Sequence, residues 1–145
     1  MGMQLIFVLE TNKKCKSDWI YIKDTIEYFY NIDANNIKFT QVYMDGKGNF
    51  KNKQKEINKN IDQYAKGASN GNSKVICCLD SDDYDINMEA IKFLNEAFKF
   101  CNDNKYELIW FCKDIERVYL RKKVVKDEKK KEAGKFKANK SRSFI

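Results

Sequence analysis

KVICCLDSDDYD, residues 74–85, is the stretch on which the fold turns. Val75, Ile76, Cys77, Cys78 and Leu79 make an unbroken apolar run, which stops on four acids, Asp80, Asp82, Asp83 and Asp85. A short run of β-branched and thiol side chains predicts a strand buried on both faces, the central strand of a parallel sheet. Acids at the carboxyl end of such a strand stand where open α/β sheets place their ligand crevice. Asp80 and Asp82 form an Asp-x-Asp pair whose mutual repulsion a divalent cation would relieve. The competing reading is a solvated loop whose acids cap the next helix, and Asp85, just before Ile86, is expected to do so.

Upstream, residues 4–9 (QLIFVL) form a second apolar run, the first strand, and it ends on Glu10. Residues 11–17 are polar and make a loop. Ser17 or Asp18 can cap a helix over 19–30, whose Trp19, Ile22, Ile26 and Phe29 share one face. Residues 37–44 alternate and form the second strand; 45–49 (DGKGN) is a flexible loop. A polar helix follows over 53–66, with Ile57, Ile61 and Tyr64 on one face, and then a loop over 67–73. Downstream, 86–101 carries the strongest helical stripe: Met88, Ile91, Leu94 or Ala97, Phe98 and Cys101. Residues 106–112 (YELIWFC) form the fourth strand, and a short helix starts from Asp114.

This βαβαβαβ order predicts a single Rossmann-like α/β domain over residues 1–120. Its four-stranded parallel sheet is flanked by helices on both faces, joined by right-handed crossovers. A basic C-terminal tail follows over 121–145, with Phe136, Phe144 and Ile145 as its few anchors.

Composition narrows the chemistry. A chain of 145 residues with 43% hydrophobic content holds one domain with one core. No apolar run approaches the ~20 residues that span a bilayer, and the first run is too short for a signal peptide. A cytoplasmic protein without membrane contact is therefore expected. The five cysteines are odd in number, lack CxxC spacing and mostly sit in apolar contexts, so they read as reduced. His is absent, which excludes His-based triads and His-ligated zinc; Pro is absent too. Residues 1–120 hold 17 Lys/Arg against 18 Asp/Glu, whereas residues 121–145 hold 11 against 3. That concentrated basic segment fits a polyanion partner, with Lys129, Lys130 and Lys131 as nucleic-acid-binding candidates. A solvated Lys-rich helix or a disordered end accounts for the same composition equally well.

Two strand ends thus carry acids. If the two strands are neighbours, about 4.8 Å apart, Glu10, Asp80 and Asp82 converge on one crevice. Hard oxygen ligands of this kind suit Mg²⁺ or Mn²⁺. With Phe7-Val8-Leu9-Glu10, Lys16-Ser17-Asp18 and Leu79-Asp80-Ser81-Asp82-Asp83-Tyr84 in this order, residues 4–112 resemble the TOPRIM superfamily. That is the metal-dependent domain of topoisomerases, bacterial primases, ribosomal-RNA maturases and OLD-type nucleases. Asp82-Asp83 and the Trp110 strand look most like its RloB-type and OLD-type branch in bacterial anti-phage defence. Thr11 stands where that family usually has Gly.

The resemblance implies metal-dependent cleavage of DNA or RNA, with Glu10, Asp80 and Asp82 catalytic. Asp80 and Asp82 would hold the metal, Asp83 would be an outer ligand, and Glu10 a general base or a ligand to a second ion. Asp114 and Glu116 could complete a second site, or be first-turn acids favoured by the helix dipole. Lys113 or a tail lysine would offset phosphate charge. A chain of this kind would work beside a protein partner such as an ATPase. The alternative is a non-catalytic TOPRIM-like module that binds nucleic acid or protein. Other acid-pair folds fit less well. Haloacid-dehalogenase phosphatases and receiver domains need their acids after the first strand. An EF-hand from Asp83 would have Met88 at its glycine position and Leu94 at its bidentate glutamate.

Overall fold

The computed structural model describes residues 2–67, 70–112 and 114–143; Lys113, Phe144 and Ile145 lie outside the described residues. Four strands, β1 (Met3–Leu9), β2 (Ile37–Tyr43), β3 (Asn72–Asp80) and β4 (Glu107–Phe111), form one all-parallel sheet in the order β2-β1-β3-β4. The helices are α1 (Ser17–Phe29), α2 (Gln54–Lys66), α3 (Met88–Asp103), α4 (Ile115–Leu120) and α5 (Lys129–Ser143). Short 3₁₀ turns lead into α2 and α5.

The apolar runs dictate this sheet. Ile6, Val8, Val75, Cys77 and Leu79 enter one core with Val42, Ile57, Ala97 and Cys101, beneath α2 and α3. Phe7, Leu9 and Cys78 enter the other with Trp19, Tyr21 and Ile22, beneath α1. β1 and β3 are therefore buried on both sides, as their unbroken apolar runs require. The chain leaves β1 for β2 in one direction and crosses from β2 to β3 in the other. The order reverses between β1 and β3, and the crevice outside the carboxyl ends of those strands is the place for a ligand.

Several boundaries differ from the sequence reading. β3 starts at Asn72, inside the expected loop. The loop after β2 is short, because Lys47–Lys53 coils into a 3₁₀ turn. α1 starts at Ser17 behind a left-handed Lys16 (φ 54°), with no side-chain cap. Neither Ser17 nor Asp18 is the N-cap residue; the Asp18 carboxylate accepts from the Trp19 N–H within the first turn and from the Thr11 N–H and hydroxyl.

α3 starts two residues later than expected and is capped by Asn87 rather than Asp85. The Asn87 Oδ1 accepts from the Glu89 and Ala90 N–H groups at 2.9 and 3.3 Å. Its inward face also differs. Phe93, Ala97, Phe100 and Cys101 pack on the sheet, while Met88 is 80% exposed and Ile91 and Phe98 also face outward. The helix is apolar on more than one side, and the rings of Phe93 and Phe100 both meet Phe50 edge-on.

The basic segment is built into the domain. Ala133 and Phe136 of α5 are buried in the same core as Phe7, Trp19 and Tyr21. The Phe136 ring lies 5.0 Å from Tyr21 and 5.3 Å from Tyr119. Two apolar side chains three residues apart give too short a stripe to announce this docking in a Lys-rich sequence. Among the described residues no helix is long and apolar enough to cross a membrane.

Candidate active site at the β1–β3 switch point

Glu10 follows β1 and Asp80 ends β3, so the switch point brings these carboxylates to one edge. The backbone N–H of Asp80 donates to Glu10 Oε1 at 2.8 Å. The Asp80 Oδ1 accepts from the N–H of Ile115 at 2.9 Å, which joins the end of β3 to the start of α4. After β2, a left-handed Asp45 (φ 52°) and Gly46 (φ 124°) turn the chain back over the end of β1. The Gly46 N–H donates to the Glu10 carbonyl at 3.0 Å. A φ near 124° is one that glycine adopts freely and other residues do not.

These turns enclose a cavity of about 530 Å³. Its acids are Glu10, Asp18, Asp45, Asp80, Glu116 and Asp127; Lys126 and Lys129 bring the opposite charge. Glu116 is 2% exposed. Its Oε1 lies 3.4 Å from the Lys129 ammonium, and its Oε2 has no hydrogen-bond partner among the described residues.

The electrostatics follow from crowding. Burial pushes the Asp80 carboxyl up to about 9, with the negative charges of Glu10 and Glu116 adding to it. The Ile115 N–H and Lys129 only partly offset this. Burial likewise raises Asp18, against the bonds from Thr11 and the Trp19 N–H. Burial opposes the charge on Lys129, but Glu116, Asp80 and Asp114 outweigh it and hold the ammonium charged. A pocket with this excess of carboxylates favours a cation.

The structure separates the acids that the sequence grouped. Asp82 and Asp83 do not line the cavity. Asp80 and Asp82 were expected together because two carboxylates this close in sequence repel unless a cation neutralises them. The strand ends at Asp80, however, and the buried Ser81 ties the chain to β4. Its N–H and hydroxyl both donate to the Phe111 carbonyl, at 3.0 and 2.9 Å. Asp82 then takes a left-handed conformation (φ 50°) and is exposed. Asp83 shapes the turn into α3: its carbonyl accepts from Ile86 and Asn87, and its Oδ2 from the Asn87 amide at 3.2 Å.

Asp114 has the capping role that was one of its two readings, accepting from the Arg117 N–H at 2.8 Å. Glu116 instead faces the cavity. Of the three tail lysines, Lys129 lines the cavity, whereas Lys130 and Lys131 are exposed on α5. Asp18, Asp45 and Asp127 were not singled out as site residues. The Lys16-Ser17-Asp18 segment, which spans the start of α1, was the available signal for the first of them.

No three His, Cys, Asp or Glu side chains among the described residues form a ready-made metal cage. The donors are nevertheless all oxygen, and one buried carboxylate oxygen is left without a partner. That fits an ion such as Mg²⁺ or Mn²⁺, which takes one or two carboxylates and fills its remaining positions with water and phosphate. Comparison of the chain with protein-family models, with curated proteins and with solved structures finds no match.

Proposed function

We propose that the chain is a TOPRIM-like, Mg²⁺- or Mn²⁺-dependent nuclease that hydrolyses phosphodiester bonds at the β1–β3 switch point. The observation that carries the reading is the meeting of Glu10, Asp80 and Glu116 in one cavity with a net excess of carboxylates. Glu10 and Asp80 keep the roles that the TOPRIM resemblance gives them, and Glu116 stands where Asp82 was expected. A bound divalent ion would neutralise the carboxylates, polarise the phosphate and supply an activated water.

The chain's own residues do the rest. Asp80 and Glu116 would hold the ion. Glu10, oriented by the Asp80 N–H, accepts the proton of the attacking water. Lys129 and Lys126 offset the charge that grows on the phosphate oxygens. The bond from phosphorus to the leaving oxygen then breaks, and that oxygen takes up a proton from solvent water. The loop around Asn12 and Lys129 at the start of helix α5 line the site.

The test is cleavage of plasmid, single-stranded DNA and RNA with Mn²⁺, with EDTA and with Asp80→Asn. The proposal expects products with Mn²⁺ alone. Cleavage that survives both EDTA and Asp80→Asn would overturn it. A second reading, a TOPRIM-like scaffold that binds nucleic acid without cutting it, draws on the lack of a three-carboxylate cage. It expects binding indifferent to EDTA and no products.

A further inference from the structure

A second groove, of about 490 Å³, runs beside the carboxylate cavity. The two share Asn12 and Asp45 in their linings, so they lie side by side on the surface. The character changes across that border. The groove is lined by Lys13, Lys14, Lys53 and Tyr43, with Glu56 and the shared Asp45 as its acids, so lysines outnumber carboxylates there. The segment bearing Lys13 and Lys14 is a built turn. Asn12 Oδ1 accepts from the N–H groups of Lys14 and Cys15 at 3.0 and 2.8 Å. Lys13 and Lys14 are exposed, and Lys53 is tied only by a 3.8 Å surface pair to Glu56, which a phosphate can displace at little cost.

We propose that single-stranded nucleic acid runs from the carboxylate cavity into this groove, with Lys13, Lys14 and Lys53 on neighbouring phosphates and a base against Tyr43. The proposal rests on reading the cavity as a phosphodiester site, and it names the substrate's path. Lysines that track a backbone beside an aromatic face are the elements of single-strand binding. The recess argues the same way. Asp80 lies in a cavity lined by the loop around Asn12 and by Lys129 of α5. A stiff duplex cannot fold a phosphate into such a recess, and a flexible strand can. The exposed lysines of α5 lie outside both grooves, so the most basic part of the sequence is not the track.

Fluorescence anisotropy with labelled single-stranded and duplex oligonucleotides, in EDTA, separates binding from cleavage. Lys13→Gln/Lys14→Gln/Lys53→Gln is expected to weaken single-strand binding about tenfold. It should also flatten the slope of log affinity against log salt by about 2, since each phosphate contact on a single strand contributes about 0.7. Lys130→Gln/Lys131→Gln/Lys137→Gln removes the same charge from the exposed side of α5 and should stay within about twofold. Circular dichroism confirms that both variants fold. Equal losses in the two variants, tighter binding of the duplex, or no binding at all would overturn the track. Binding through the three groove lysines without Mn²⁺-dependent cleavage would leave the track standing and defeat the hydrolysis.

Discussion

Asp80 and Asp82 are two residues apart in one motif and occupy opposite environments. Asp80 closes a buried strand, receives the Ile115 N–H and is pushed up to about 9 by burial and by Glu10 and Glu116. Asp82 is exposed in a left-handed turn outside the cavity. The same contrast recurs in the basic segment, where Lys129 is paired to a buried Glu116 while its neighbour Lys130 is exposed on the helix. In both places composition groups residues that the backbone then separates. A site is set by where the chain turns, not by how many charges cluster along it.

The strongest way to break this comparison is catalytic. Asp80→Asn should lower Mn²⁺-dependent cleavage at least about a hundredfold, while Asp82→Asn stays within about threefold, a difference of roughly 2 kcal/mol or more in the barrier. Initial rates on a labelled oligonucleotide measure both. Equal losses would return Asp82 to the site.

Lys129→Met should destabilise the fold by about 2–3 kcal/mol, because it leaves Glu116 buried and unpaired. Lys130→Met should change stability by no more than about 0.5 kcal/mol. Denaturant midpoints decide between them, and matching values would remove the inward role of Lys129.

The pH dependence sharpens the same point. In EDTA, folded Asp80 holds its proton up to about 9, whereas the unfolded chain releases it near its ordinary value of about 4. Between those values the folded state binds the extra proton, so stability falls as pH rises through neutrality. Asp80→Asn keeps an oxygen acceptor for Ile115 and should remove the fall. Asp82→Asn should keep it. Melting temperatures at pH 6, 7 and 8 follow both variants, and the fall from pH 6 to pH 8 is expected to be roughly 5 °C larger in Asp82→Asn than in Asp80→Asn.

The smallest expected effect is at Asp82 itself. Asp82→Gly relieves a left-handed backbone while freeing the unfolded chain, so stability should change by less than about 1 kcal/mol. A larger loss would show that the contacts of the Asp82 side chain outweigh the backbone relief.

The strands were legible because β1 and β3 are apolar without interruption, and only a sheet covered on both faces accepts such runs. Glu10 and Asp80 were legible for the same reason, standing directly after those runs. Asp82 does not line the cavity because the chain turns after β3: the buried Ser81 bonds to Phe111 and Asp82 takes a left-handed conformation, which the Asp-x-Asp spacing does not show. The inward face of α3 was legible only in part: Leu94, Ala97 and Cys101 of the expected stripe are buried, whereas Met88, Ile91 and Phe98 give way to Phe93 and Phe100. Only the sheet chooses between the two stripes. Lys129 could not be told from Lys130 and Lys131, since its aim depends on how Phe136 docks α5 against Tyr21 and Tyr119.

On the proposed reading one divalent ion sits in the cavity lined by Glu10, Asp80 and Glu116 and not on the Asp82 turn. Calorimetric titration of Mn²⁺ into the wild-type protein, Asp80→Asn and Asp82→Asn tests it most directly. The account predicts binding to the wild type, loss of at least about tenfold in affinity in Asp80→Asn, about 1.4 kcal/mol, and little change in Asp82→Asn. Binding that survives Asp80→Asn and disappears in Asp82→Asn would contradict it.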